Sequence, residues 1–359
     1  MFSLSIKEMR FFKLKYLLIA FILFFTASLV FIINGLANGL SLDNASSVVN
    51  MKADSFYMKT EAEHRLDRSK ISETEALQAQ KEHGLEPLGV QMFSLKDRTN
   101  NKTIDLTFMG IQEDSALHPK LIEGHTLKKD DQLSIVADES LKEEGIKLGD
   151  TLYEETSGLT FTVTGFTSGQ TYSHMPVAFI NLKSWAALTE RNNKVYYNAL
   201  VAPTGEHAIG KPAKDGQWVP KEDVMKSIPG FEAEQSSLYM MLGFLLVITV
   251  FILTAFFYII TGQKMNQFGI LKAIGSRNSF LIGTTIIQAL LLSMISIGIA
   301  AGFAIFMPSF LPEGIPYVID IANTMMLAGI LLAVALIGSL ISSFNIVKAD
   351  PIEAMGRVE

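Results

Sequence analysis

The feature that most constrains the fold is a pair of long apolar runs, residues 238–260 and 280–306, separated by a short polar stretch. Each run reaches the roughly 20 apolar residues that a helix needs to cross a bilayer. The stretch between them carries Lys264, Lys272 and Arg277 and no acidic residue. Because loops rich in Lys and Arg stay in the cytoplasm, the pattern predicts two membrane-spanning helices joined by a cytoplasmic loop. Four apolar residues of this loop have the spacing of one face of a short helix: Phe268, Ile270, Leu271 and Ile274.

Two further apolar runs, near the two ends of the chain, extend the prediction to four spans with both termini in the cytoplasm. The first run is long for the core of a signal peptide, and no A-x-A site follows it, so we expect an uncleaved helix. The predicted order is a cytoplasmic amphipathic interfacial helix (1–15), span one (16–40), an extracellular domain (41–235), span two (236–261), a cytoplasmic coupling loop (262–279), span three (280–307), an extracellular loop (308–320), span four (321–347) and a cytoplasmic tail (348–359).

The charges are divided unevenly along the chain. Residues 41–235 hold 21 Lys and Arg against 30 Asp and Glu, whereas the remaining residues hold 9 against 6. An acidic segment between basic edges fits a domain outside the cell and argues against a nucleic-acid partner. The chain has no cysteine, which excludes disulfides and thiolate metal sites.

The segment 41–235 mixes short helical and β-like patterns. A capping box, Ser72-Glu-Thr-Glu75, predicts a helix that runs to about His83. Six β-like runs and two short helical patterns follow it, and a Gly- and Pro-rich stretch at 203–221 predicts a loop. From Lys221 to Ser237 we expect a helix that leads into span two. The fold class is therefore a multi-pass α-helical membrane protein with four transmembrane helices and a large extracellular α+β domain between the first two.

The chain carries no complete nucleotide-binding or hydrolytic motif. Residues 205–211 match the start of a phosphate-binding loop, but Pro212 stands where Ser or Thr would bind magnesium. No pair of histidines has the HExxH spacing. No charged residue falls inside the four predicted spans, which counts against a proton-driven transporter. We therefore expect that the chain is not itself an enzyme and that a separate protein supplies the energy for its function.

Two clusters are candidate binding residues. Tyr172, His174 and Met175 lie close together in the chain, and each side-chain type can bind haem iron; the alternative is a polar loop whose aromatic residue packs on the domain. At the end of span one, small and amide residues recur four apart. They predict a subunit contact or cavity rim, or else only the end of a helix: Asn34, Gly35, Asn38 and Gly39.

Several phrases of the sequence resemble the MacB/FtsX superfamily of ABC transporter permeases. They are the sequence FGILKAIGS after span two, DPIEAM near the C-terminus, and KLGDTL and FTVTGF in the extracellular domain. The phrases FINGLANGL, TAFFYIITGQKMNQFGILKAIG and KADPIEAMG are similar to the HrtB-type permeases of Gram-positive haem exporters. The resemblance covers nearly the whole chain.

The resemblance implies a type VII efflux system in the cell membrane of a Gram-positive bacterium. Two permeases would form a homodimer with two copies of a cytosolic ATPase, which alone binds ATP, and haem would be drawn as cargo from the membrane lipid. Coupling to the ATPase would use the loop and the tail, with these candidates: Lys264, Phe268, Gly269, Leu271, Lys272, Ile274, Asp350 and Pro351. Two alternatives remain, export of antimicrobial peptides or lipids, and FtsX-like signalling to a cell-wall hydrolase.

Overall fold

The computed structural model describes residues 1–98, 102–128, 132–203, 215–312 and 315–347 and divides into two compact units. One unit combines residues 1–39 with those from Ser236 onward, and the other is Leu40–Gln235. Within the described residues, four helices are long and apolar enough to cross a membrane. The predicted fold class, a multi-pass helical membrane protein with a large α+β domain after its first span, is confirmed.

Helices make up most of the described part of the first unit, which we call the membrane unit, and part of the other unit. They are α1 (Phe2–Phe11), α2 (Lys13–Asn50), α3 (Glu73–His83), α4 (Ser140–Glu143), α5 (Leu182–Thr189), α6 (Lys221–Lys226), α7 (Phe231–Gln263), α8 (Met265–Ala273), α9 (Asn278–Phe306) and α10 (Ile321–Val347). Helix α2 continues well past Gly39, near which the sequence predicts its end. Burial of Ala45 and Val48 in an apolar core offsets the small helical penalty of glycine.

The unit Leu40–Gln235 is built on a mixed sheet. Its strands are β1 (Ala53–Lys59), β2 (Ile71–Ser72), β3 (Glu86–Asp97), β4 (Thr103–Ile111), β5 (Leu121–Gly124), β6 (Ser134–Asp138), β7 (Thr151–Glu154), β8 (Thr160–Thr167), β9 (Thr171–Tyr172), β10 (Met175–Asn181), β11 (Tyr196–Tyr197), β12 (Ala199–Pro203) and β13 (Gly216–Pro220). The main order is β13-β1-β12-β3-β4-β10-β6-β8-β5, with β7 on β3 and β8, and β9 on β10. Strands β11 and β2 form a separate ribbon.

A tryptophan on α5 packs over two glycines of the sheet. Gly89 and Gly110 are directly opposite each other on β3 and β4. A Cβ atom would lie 2.2 Å from the Trp185 indole at Gly89 and 2.8 Å from it at Gly110, closer than Cβ atoms approach other heavy atoms. The indole N–H donates to the carbonyl of Tyr196 at 3.1 Å. Because glycine has no side chain, these two positions leave room for the Trp185 indole, and α5 can pack on the sheet.

Helix α3 begins as its capping box predicts. The backbone N–H of Glu75 donates to Ser72 Oγ at 3.3 Å, and the carboxylate of Glu75 accepts from the N–H of Ser72 at 3.0 Å. The αL residue Gly84 ends the helix. Both ends agree with the sequence because caps are local signals.

Two local predictions in the later part of this unit are wrong. The stretch 203–221 is not all loop, since β13 pairs with β1 and buries Val219. The helix predicted from Lys221 to Ser237 is divided into α6 and α7, because Pro229 and Gly230, with a φ of 89°, end the first helical segment. The rest of the 203–221 stretch lies partly outside the described residues.

Candidate functional sites

The first candidate site is the turn between β9 and β10. Tyr172 and Met175 are paired across the two strands, and Ser173 and His174 form the turn with φ values of 51° and 62°. A two-residue hairpin turn with both φ values positive usually contains Asn or Gly, so Ser and His hold a strained backbone here. Contacts with neighbouring helices must stabilise it.

Those contacts come from α2 and α7. The N–H of Ser173 donates to the carbonyl of Asn44 at 2.7 Å. Nδ1 of His174 lies 2.6 Å from the Asp43 carboxylate, and Nε2 lies 3.0 Å from the Glu234 carboxylate. Because a carboxylate only accepts, both ring nitrogens donate when the imidazole is protonated. The charged ring thus joins an acid of α2 to an acid of α7.

The electrostatics of this cluster favour the imidazolium. Partial burial lowers the pKa of His174, but the hydrogen bonds and charges of Asp43 and Glu234 more than offset it, so the pKa is raised above its ordinary value. We call Asp43, His174 and Glu234 the histidine clamp. Sequence reasoning missed both acids, which lie 131 and 60 residues from the histidine.

The three predicted haem ligands do not converge in this conformation. The side chain of Tyr172 is only 1% exposed, and it belongs to the apolar core. Burial also raises the pKa of its hydroxyl, which disfavours tyrosinate. Met175 is half-buried, and both ring nitrogens of His174 are occupied. Among the described residues, no group of three or more His, Asp or Glu side chains could hold a metal ion.

The second candidate site is the small-residue stripe of α2. A Cβ atom at Gly35 would lie 2.4 Å from the Tyr317 ring, and one at Gly39 would lie 2.3 Å from the carbonyl oxygen of Pro316. The N–H of Val318 donates to the Gly35 carbonyl at 3.0 Å. The two glycines thus make space for the segment 316–318 of the same chain.

The amides beside these glycines also lie within the fold. Asn34 is 5% exposed. The side-chain nitrogen of Asn38 is buried and has no hydrogen-bond partner among the described residues. Asn34 and the side-chain nitrogen of Asn38 are therefore shielded by the chain itself in this conformation.

The third candidate site is α8, in the predicted cytoplasmic loop. The sequence predicts a single apolar face, but the structure shows two. Phe268 is 3% exposed and packs with Leu281 and, more loosely, with Leu271. In contrast, Ile270 and Ile274 are 50% and 76% exposed. The first group anchors the loop, and the second pair faces away from the protein.

The remaining coupling candidates differ in accessibility. Lys264 is 6% exposed, and Glu8 and other groups of the same chain hold its ammonium, so in this conformation its charge is not presented at the surface. Gly269 is buried and Lys272 is half-buried. Asp350 and Pro351 lie outside the described residues.

Comparison with known proteins identifies relatives along the entire chain. A family model for the C-terminal domain of FtsX-like permeases matches residues 239–351. A protein of Staphylococcus haemolyticus, provisionally named as the hemin transport system permease HrtB, is 28% identical over 359 residues, covering 99% of this chain and all of that protein. A protein of the same provisional name from Staphylococcus epidermidis is 30% identical over 357 residues, covering 99% of each chain.

A solved structure is similar to part of the chain. The extracellular domain of the ABC-type transporter YknZ from Gram-positive bacteria matches with a TM-score of 0.34 and 15% identity, covering 45% of this chain and 89% of that domain.

Proposed function

Because the chain belongs to the FtsX-like family of ABC transporter permeases, in the group that contains the HrtB proteins, we propose that it is the membrane subunit of a haem efflux system. The observation that carries this proposal is the full-length similarity to two staphylococcal proteins that are provisionally named hemin transport permeases. Membership of the family supports a multi-pass membrane protein and implies an ATPase partner, which in this proposal is a separate protein.

The ATPase docks, in this proposal, on α8. Two aliphatic side chains are exposed here, Ile270 on α8 and Ile274 directly after it, on a short segment between two spans. Exposed apolar side chains rimmed by polar ones mark protein interaction sites. The charges of Lys272 and Arg277 favour the cytoplasmic side, where an ATPase would meet them. Asp350 and Pro351 in the tail are further candidates for this contact.

The mechanism we propose is mechanical transmission. The ATPase would close on the inner side and move the helices that reach the exposed domain, without passing cargo from the cytoplasm. Helices α2 and α7 each contribute residues to both compact units, which supports this mechanism. The working unit would be a homodimer of the permease with two ATPase copies, and haem would enter from the lipid.

The haem-contacting residues remain a proposal centred on His174, Met175 and Tyr172. Haem iron accepts imidazole, thioether and tyrosinate ligands. In the described conformation the side chain of Tyr172 is buried, so its hydroxyl could contact haem only if the β9–β10 turn opened. His174 would first have to leave Asp43 and Glu234. We therefore expect that cargo binding and opening of the turn are linked.

The test is protection of a haem-sensitive bacterial host. We expect the chain, expressed with its ATPase, to raise the haem concentration that arrests growth, and Tyr172→Phe to lose this protection with unchanged protein level. Leu77→Ala, at an exposed position of α3, serves as the matched control because it removes an apolar side chain away from the turn. Absence of protection by the wild-type chain would refute haem export.

The two other functions are separate outcomes of the same experiment. Protection against antimicrobial peptides but not against haem would indicate a different cargo for the same machine. No protection of either kind, together with an extracellular hydrolase that binds the exposed domain, would indicate signalling.

A further inference from the structure

A buried polar cluster lies where α7 meets α8. We call it the pivot cluster. Its members are Glu8 of α1, Tyr16 of α2, Gln288 of α9, and Lys264, which lies between α7 and α8. The Lys264 ammonium donates to Glu8 at 2.8 Å, to the Tyr16 hydroxyl at 2.7 Å and to Gln288 Oε1 at 3.3 Å. Its three donor hydrogens thus have acceptors on three different helices.

The acceptors are also connected to one another. The Tyr16 hydroxyl donates to Gln288 Oε1 at 2.6 Å, and the Gln288 amide donates to the Glu8 carboxylate at 2.5 Å. The side chains of Lys264 and Glu8 are 7% and 17% exposed. A shielded network in which every member is satisfied fixes geometry more firmly than an exposed ion pair does.

Lys264 is itself the bend between two helices. Helix α7 ends at Gln263 and α8 begins at Met265, while Lys264 has φ −95° and ψ 2°. Its N–H still donates to Ile260, and its carbonyl accepts from Phe268. The residue that sets the direction of α8 relative to α7 is therefore the residue whose side chain is held by the cluster.

Helix α1 has a second attachment beside this bend. Ser5 is fully buried, and its hydroxyl donates to the carbonyl of Thr284 on α9 at 3.1 Å. The helix carries Lys7 and Arg10 on its exposed side, as an interfacial helix should. Its Glu8, however, points into the protein to pair with Lys264. The helix is thus more than a membrane anchor.

We propose that α1 belongs to the coupling apparatus, with Glu8 as a positioning residue that sets, through Lys264, the orientation of the α8 surface on which the ATPase docks. This inference rests on the proposed coupling function. Glu8 does not touch the ATPase; it keeps Lys264 in place, and Lys264 keeps Ile270 and Ile274 directed toward the partner.

The experiment measures ATPase binding and ATPase stimulation separately, with the full chain in nanodiscs together with its co-purified ATPase. We expect Glu8→Gln to lose most of the permease-dependent stimulation while the complex still assembles. The charge swap Glu8→Lys with Lys264→Glu should restore much of it, because the ion pair is re-formed. Lys7→Gln is the matched control, since it removes a charge from the exposed side of α1.

A further double variant separates positioning from folding. Replacing a buried ion pair by apolar residues often preserves stability. Glu8→Leu with Lys264→Met should therefore retain the thermal midpoint and lose stimulation. Full stimulation by Glu8→Gln, or by this double variant, would overturn the inference. A wild-type chain that never stimulates the ATPase would instead refute the coupling function on which the inference rests.

Discussion

The imidazole of His174 helps to stabilise the strained β9–β10 turn in the unit Leu40–Gln235. Ser173 and His174 both occupy the left-handed region, which costs free energy for residues with side chains. The ring of His174 recovers part of that cost through Asp43 and Glu234. Because the two acids are on helices α2 and α7, protonation of one residue affects how firmly two helices are joined within this unit.

The histidine clamp should make stability depend on pH in a defined direction. The pKa of His174 is raised in the folded protein, so its stabilisation is complete below the unfolded-state pKa and is lost as pH rises through the folded-state pKa. We expect the thermal midpoint of the wild-type chain to fall relative to that of His174→Gln as pH rises above about 6.5, the ordinary pKa of histidine, and through the raised folded-state pKa. Thermal unfolding of both proteins across this range measures the effect. If the thermal midpoints of the two proteins changed in parallel with pH, the stabilising role of the histidine clamp would be contradicted.

At the level of the element, α8 shows that the spacing of apolar residues in the sequence does not tell which of them are exposed. Phe268, Ile270, Leu271 and Ile274 suggest one stripe, yet the helix ends at Ala273 and packs on α9 through only part of that set. The side chains left outside, Ile270 and Ile274, are those available to a partner.

Substitutions on the two sides of α8 should therefore have different effects. Burying an isoleucine contributes about 1.5–3 kcal/mol, so Ile270→Asp should weaken ATPase binding by roughly tenfold or more with little change in permease stability. Asn266→Asp is the control, because it adds the same charge to an exposed position of the helix. Phe268→Ala should instead lower the thermal midpoint. The measurement is the affinity of the ATPase for each permease variant in nanodiscs. Equal affinities for Ile270→Asp and the control would exclude this docking surface.

On the scale of the whole molecule, the sequence predicts what depends on local pattern. The spans, the helix caps and the family resemblance, which is confirmed for the FtsX-like and HrtB groups, were available from it. The Lys264 pair was not, because Glu8 lies 256 residues away and a basic loop residue ordinarily faces water. Strand β13 was concealed by its Gly- and Pro-rich surroundings, since only pairing with β1 makes it a strand.

The membrane orientation can be measured directly because the chain contains no cysteine. We expect a membrane-impermeant maleimide to label Glu61→Cys and Ser309→Cys in intact cells, and to label Gln267→Cys only after the membrane is opened. All three positions are exposed in the structure, so differences in labelling report the side of the bilayer. Labelling of position 267 in intact cells would reverse the topology and exclude α8 as the docking helix.

The packing of Tyr317 and Pro316 on Gly35 and Gly39 limits where anything else can approach the first span. With that flank occupied, the open flank of α2 is a ladder of large side chains spaced one helical step of four apart: Leu17, Phe21, Phe25 and Leu29. A molecule that approaches this side of α2 from the lipid would therefore first meet aromatic and aliphatic side chains and not the two glycines.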